Sequence, residues 1–272
     1  MRADLHLHTT FSDGKLTPGE LVEIALKRNL QAIAITDHDT VDGIEPAKDA
    51  AKVIAGFKIV PGIEINAFLA HQEIHILGYY IDHRDKSLSR DLAVLQRQRE
   101  ERALEIVDKL VTLGLELDYS QVLSKATGSS VGRPHIAEVL VDKGYVESIP
   151  DAFQRYLNAG APAYVPRKKL SPYDAIDIIK GYKGIPIIAH PGLMKDITIL
   201  DSLIDCGLRG IEAHHIKHSV EQTKYFNELA KTNNLIVTGG SDSHDSLTIG
   251  HTVAPKGAID ALKAAKAELY SE

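Results

Sequence analysis

His6 and His8 stand two residues apart in the opening segment ADLHLHTT. In a strand, side chains alternate between faces, so both imidazoles point one way while Leu5 and Leu7 pack on the other. Two imidazoles placed like this can share one divalent cation. Asp13 follows in a turn, FSDG. Asp37, His38 and Asp39 end the apolar run AIAI, a costly place for three ionisable groups unless the strand end opens onto a polar site. In GIEIN, Glu64 faces away from Ile63 and Ile65, and if buried it must be paired, protonated or bound to metal. His75 in EIHILGYY and His190 in IIAHP lie within or at the end of apolar runs, and Asp242 and His244 sit two residues apart in GGSDSH after LIVT. Each motif alone has a plainer reading, such as a satisfied core histidine or a solvated loop. Parallel barrel strands, however, bring such ends to one mouth, and one shared metal site accounts for all of them. The chemistry expected there is hydrolysis, because clustered divalent ions acidify water and neutralise the oxygens of an ester.

The elements that would position these groups follow from short apolar runs. Candidate strands are Ala3 to His8, Gln31 to Thr36, Lys58 to Asn66, Glu73 to Tyr79, Ile185 to His190, Gly210 to His214 and Leu235 to Thr238. Amphipathic helices fall between several of them. One has a clear start, with Thr17 as N-cap, Pro18 at the first position and Glu20 closing a capping box. Strand and helix alternation predicts an α/β fold with a parallel sheet or barrel. The middle of the chain differs: from 87 to 158 the periodicity is helical, and Leu88 to Leu113 forms one long helix pattern whose charged side reads as a solvated face. The expected organisation is a barrel from residues 1–86 and 159–272 and an inserted helical subdomain, 87–158, that roofs the mouth.

Bulk properties bound the partners. The 272 residues are 44% hydrophobic and 25% charged, with no apolar run of membrane-spanning length. The opening MRADLHLHTT is not a secretory leader, and the single Cys206 cannot form an internal disulfide. A cytoplasmic location is expected. A net charge of -6 argues against a surface that grips duplex nucleic acid, leaving a small phosphorylated ligand or a locally held strand end. Oligomeric state is not legible.

HLHTTFSDG, TDHDT, GIEI, AHP and SDSH, in this order, resemble the polymerase and histidinol phosphatase (PHP) family of metallophosphoesterases. The resemblance implies a distorted (β/α)7 barrel with two or three divalent ions of manganese, zinc or iron. Carried over residue by residue, it implies one metal on His6, His8, Glu64 and Asp242, with Glu64 bridging to a second that His75 and His190 also hold. A third would take Asp13, His38 and His244, which are the residues expected to be catalytic. SSVGRPHIAEVLVDKGYV, followed by AFQRYLNAGAPAYVPRK, is similar to the subfamily of nucleoside 3',5'-bisphosphate phosphatases and 5'-to-3' exoribonucleases. That similarity implies hydrolysis of nucleotide phosphate esters, or of the 5' ends of short RNA, by a metal-activated hydroxide.

The residues of this segment also suggest phosphate binding on their own account. Ser130, Gly132 and Pro134 read as the opening of a helix whose free N–H groups attract anions; Arg133 can grip phosphate with two donors, and His135 can add another. Arg167, Lys168 and Lys169 form a local basic patch or a solvated loop. Which of His214, His215 and His218 in IEAHHIKH faces the site is left open, and His71, His83 and His251 have no assigned role. The rival enzyme class is a metal-dependent hydrolase of C–N bonds. Against it stand the GRPH helix start and the lack of an evident strand-end lysine for a carbamylated metal bridge. A module that binds metal without turnover is the non-enzymatic alternative.

Overall fold

The computed structural model describes every residue except 70, 71, 127, 129, 167–169 and 272. His71 and the basic run Arg167, Lys168 and Lys169 therefore lie outside the described residues. The strands are β1 (Ala3–Asp4), β2 (Ala32–Ile35), β3 (Lys58–Leu69), β4 (Gln72–Tyr79), β5 (Ile185–Ile188), β6 (Gly210–His215) and β7 (Ile236–Gly240). They form one sheet in chain order from β1 to β7. The Leu5 amide bonds to the Gly239 carbonyl and the His8 amide to that of Ser243, which draws the first strand against the last and nearly closes a barrel.

Two expectations about the strands need correction. The continuous ladder of the first strand stops at Asp4 rather than running to His8; beyond it Leu7 makes a single parallel bridge with Ser243, and its amide bonds to the Thr36 hydroxyl at 3.1 Å. The sheet is also not all parallel: β4 pairs antiparallel with both β3 and β5. Only two residues separate β3 from β4, too few for the crossover that a parallel neighbour needs. The reversal has a functional consequence. The mouth, which for the other strands lies at the carboxyl end, meets β4 near its beginning, and His75 pairs in register with Asn66.

Barrel helices α1 (Pro18–Lys27) and α2 (Ile44–Ala51) follow β1 and β2. In α1 the Thr17 and Glu20 capping box forms as expected. After β4 the chain leaves the barrel through α3 (Lys86–Thr112), α4 (Tyr119–Lys125), α5 (Arg133–Asp142) and α6 (Ile149–Ala152), which runs into one π-helical turn, Phe153–Leu157. Among the described residues the remaining α-helices are α7 (Pro172–Gly181), α8 (Leu200–Asp205), α9 (Val220–Thr232) and α10 (Ala258–Tyr270), with a short 3-10 turn at Pro191–Leu193.

Apolar packing forms separate clusters, and α3 takes part in two of them: Leu88, Leu92 and Leu95 pack with the barrel, Ala103 to Leu110 with the helices that follow. Strand residues such as Ile33, Ile35, Ile63 and Ile76 bury against Leu21, Val22, Ile176, Ile179 and Phe226 of the surrounding helices. Ala32, Ala34, Leu77, Tyr79 and Ile187 pack with Ala258, Ile259 and Leu262 of α10. A separate cluster, from Ala103 to Val165, includes Ile106, Leu110, Ile136, Leu140 and Leu157 and holds the helical segment together. Among the described residues, no helix is long and apolar enough to cross a membrane.

Candidate metal centre

The barrel mouth gathers its polar groups from β1, β2, β3, β4, β5 and β7 or from the turns just after them. His6 and His8 are wholly buried and share an orientation, as alternation along the strand requires. The His6 and His8 Nε2 atoms each lie 3.3 Å from Glu64 Oε2, and 3.6 and 3.2 Å respectively from Asp242 Oδ1. Glu64 Oε1 meets His75 Nδ1 at 2.9 Å and His190 Nε2 at 3.1 Å, while His38 Nδ1 reaches Glu64 Oε2 at 3.0 Å. Asp13 stands 3.3 Å from His244 Nε2, 3.7 Å from His38 Nε2 and 3.8 Å from His8 Nδ1.

Three overlapping donor sets have ligand atoms within 4.8 Å of one another: His6, His8, Glu64 and Asp242; His8, Asp13, His38 and His244; and His38, Glu64 and His75. His190 joins the last through Glu64 rather than as a member. The backbone is bent to present these groups, since His190 and Asp242 are held at φ 27° and 51°, a left-handed region that non-glycine residues enter at a cost. Gly240 permits the tight approach of β7, because any Cβ there would strike the backbone and Cβ of His6.

These residues fit a metal on the structure's own terms. His6 Nε2, both ring nitrogens of His8, Asp13 Oδ1 and Glu64 Oε2 are buried without a properly directed hydrogen bond, although opposite groups stand close by. Ligand atoms bound about 2.0–2.2 Å from a common cation lie at such separations from one another. Charge points the same way. Burial disfavours ionised Asp13, Glu64 and Asp242, yet the surrounding imidazoles hold all three well below the usual carboxylate range. Burial likewise opposes charge on the imidazoles, but the carboxylates raise His6 well above its ordinary value and His8 to about 10. For His38 burial wins, pushing it down to about 4.

Only His38 of the TDHDT motif faces this centre. Asp37 accepts from the Thr9 amide, the Thr9 hydroxyl and the Ser12 hydroxyl, fixing the loop that carries Asp13. Asp39 pairs with Arg99 and accepts the Asn66 amide.

A cavity of about 510 Å³ opens over the donors, lined by Asp13, Glu64, His190 and His244 on the barrel side and by Arg99, Arg102, Arg133 and Phe153 on the helical side. Arg99 and Arg102 are only 7% and 8% exposed, so the charged side of α3 is not a purely solvated face. The signal was their spacing of three on one helix face, which by itself does not reveal what covers it. Arg133 bonds to Glu73 and to the Leu157 carbonyl, and its guanidinium lies 5.5 Å over Phe153.

The neighbours of Arg133 are placed differently. Ser130 is buried, and His135 Nδ1 accepts the Gly132 amide at 3.0 Å in a capping arrangement. Neither lines this cavity; His135 instead borders a second groove, with Thr10, Lys15 and Glu138. Sequence reasoning missed Glu212 and left His215 undecided among three histidines; both are buried beside the metal donors.

Comparison with known proteins agrees with this architecture. The chain is 32% identical over 259 residues to a 3',5'-nucleoside bisphosphate phosphatase of Chromobacterium violaceum, covering 92% of this chain and 90% of that one. It is 37% identical over 250 residues to a 5'-3' exoribonuclease of Haemophilus influenzae, covering 89% of each. A solved Chromobacterium violaceum structure, described as an amidohydrolase with sulfate bound and no metal, superposes with a TM-score of 0.88 at 31% identity, covering 97% of this chain and 96% of the other. The model of the PHP domain matches residues 4–165, and with these relatives it establishes that the chain belongs to the PHP domain family.

Proposed function

We propose that the protein is a metal-dependent phosphoesterase acting on phosphate esters of nucleotides, either 3',5'-bisphosphonucleotides or the 5' ends of short RNA. The observation that carries the proposal is one cavity with two chemically opposite walls: buried carboxylates and imidazoles below, and three arginines of the helical segment above. His6, His8, Glu64 and Asp242 would hold one ion; Glu64, His75 and His190 a second; Asp13, His38 and His244 a third. When bound, manganese, zinc or iron supplies charge neutralisation at the phosphoryl oxygens and water acidified toward neutrality.

The chain's own residues do the rest. Arg133 directs unused guanidinium donors at a phosphate while Glu73 and the Leu157 carbonyl steady it. His135, behind the wall, supports the helix start that presents Arg133 by accepting the Gly132 amide. Phe153, Ile106 and Ile136 give the upper wall an apolar area, suited to the nucleoside part of a substrate. Residues 87–158 act as the cap over the barrel formed by 1–86 and 159–272, and the expected partner is a small phosphorylated molecule or short oligonucleotide.

A phosphate-release screen over nucleotides and short oligonucleotides, with each metal supplied in turn, tests this reading. Cyclic amides belong on the same plate because of the amidohydrolase description of one structural relative. Release of phosphate with no amide cleavage supports the proposal. The reverse pattern would assign the site to C–N chemistry, and metal uptake without turnover of either class would make it a binding module.

A further inference from the structure

β6 carries no member of the three donor sets, yet it runs directly behind them. Glu212 is fully buried, and its two oxygens lie 3.0 and 3.2 Å from His6 Nδ1. One of them also accepts the His190 amide at 2.8 Å. His215, 4% exposed, turns Nε2 toward Asp242 Oδ2 at 3.5 Å without completing a directed hydrogen bond, while its Nδ1 accepts the Lys217 amide at 3.3 Å. Strict alternation would pair Glu212 with His214 on the inner face. The register shifts between Glu212 and His214, and this irregularity sends His215 inward and leaves His214 near Asn227 of α9.

Resting on the metal-centre reading above, we propose that Glu212 and His215 are positioning residues for the metal ligands. Glu212 accepts a proton held on His6 Nδ1, so the lone pair of His6 Nε2 faces Glu64 and Asp242, where a cation would sit. The same carboxylate anchors the His190 amide and with it the left-handed turn that aims that imidazole. His215, accepting at Nδ1, carries its proton on Nε2 and directs it at Asp242 Oδ2, which leaves Oδ1 for the side shared with His6 and His8. Carboxylates that orient a ligating imidazole change metal affinity without touching the metal.

The test is manganese binding to Glu212→Gln, His215→Gln and, as a ligand control, His8→Ala, each measured by titration against the full chain. Gln at 212 keeps the shape of Glu but cannot accept from both the His6 ring and the His190 amide as a carboxylate does. Both positioning variants should melt cooperatively in chelator yet bind manganese roughly 10–100-fold more weakly. Long-range proton–nitrogen spectra of the chelated protein should show His6 leaving its Nδ1-protonated form in Glu212→Gln, and Glu212→Asp should restore part of the affinity. Wild-type affinity in both positioning variants, with a large loss in His8→Ala, would overturn this inference alone. Unchanged binding in His8→Ala as well would overturn the metal-centre reading beneath it. Should Glu212→Gln fail to melt cooperatively, His215→Gln and wild-type His6 decide: normal manganese affinity, or a His6 ring with no proton on Nδ1, counts against the proposal.

Discussion

Asp37 and Thr9 are joined twice, the Thr9 amide and hydroxyl each reaching the carboxylate at 2.7 Å. Ser12 adds a third bond at 2.6 Å, so the end of β2 clamps the loop that delivers Asp13 to the mouth. All the partners are buried, where a lost charged hydrogen bond is expensive. Asp37→Ala is expected to cost about 3 kcal/mol, which for a chain of this size lowers the melting temperature by roughly 6–12 °C. It should also weaken metal uptake at Asp13 although Asp37 belongs to none of the donor sets. Calorimetry together with metal analysis checks both effects, and an unchanged melt would show that the loop holds itself.

Asp13 and His38 are expected to be indispensable for turnover. They stand 3.7 Å apart at one side of the centre. Asp13→Ala and His38→Ala, after saturation with metal, should lose more than the roughly 100-fold typical of groups that only support a ligand. Full activity in either variant would remove that residue from the mechanism.

Much of this site was legible in the sequence because strand chemistry makes it so. An apolar run ending in histidine or carboxylate has few cheap explanations, and His6, His8, Glu64, His190 and Asp242 all stand out in that way. What could not be read were features decided by distant partners. The direction of β4 depends on its pairing with β3 and β5, and that direction is what brings His75 to the mouth. The choice between His214 and His215 depends on one irregularity in β6 facing β7. Arg99 and Arg102 have the periodicity of an exposed helix face, and only the barrel beneath α3 turns that face into a cavity wall. Asp37, His38 and Asp39 end the run AIAI together, and no local pattern tells which of them clamps a loop and which faces the mouth.

Acid sensitivity has a separate source at the far side of the barrel. Glu45 Oε1 lies 2.6 Å from His83 Nε2 and 3.2 Å from both Lys48 Nζ and Arg84 Nη2. His83 first, then Arg84 and Lys48, hold its carboxyl down at about 2 against an ordinary 4.5. A depressed carboxyl stabilises the fold fully above the ordinary value, and the contribution disappears as pH falls toward the depressed one. Because the side chain is 45% exposed, solvent screening keeps the effect below about 1 kcal/mol. Glu45→Gln should therefore melt slightly lower than wild type at neutral pH, with the gap shrinking by about pH 3. A gap that widens in acid would reverse the sign of this linkage.

Arg133 offers the sharpest check on substrate recognition. Its guanidinium is fixed between Glu73, the Leu157 carbonyl and the Phe153 ring, so little freedom remains to be lost when a phosphate arrives. A charge-assisted bond to phosphate contributes about 1.5–3 kcal/mol, and Arg133→Ala should accordingly reduce kcat/KM for a nucleotide substrate about 10–100-fold. Arg133→Lys should recover only part of that, since an ammonium cannot reproduce the planar fork that meets Glu73 and phosphate together. The melting temperature separates recognition from folding: Glu73 retains Arg102 at 3.1 Å, so the alanine variant should stay folded. Unchanged KM and kcat in Arg133→Ala would show that phosphate is held elsewhere on the cavity wall.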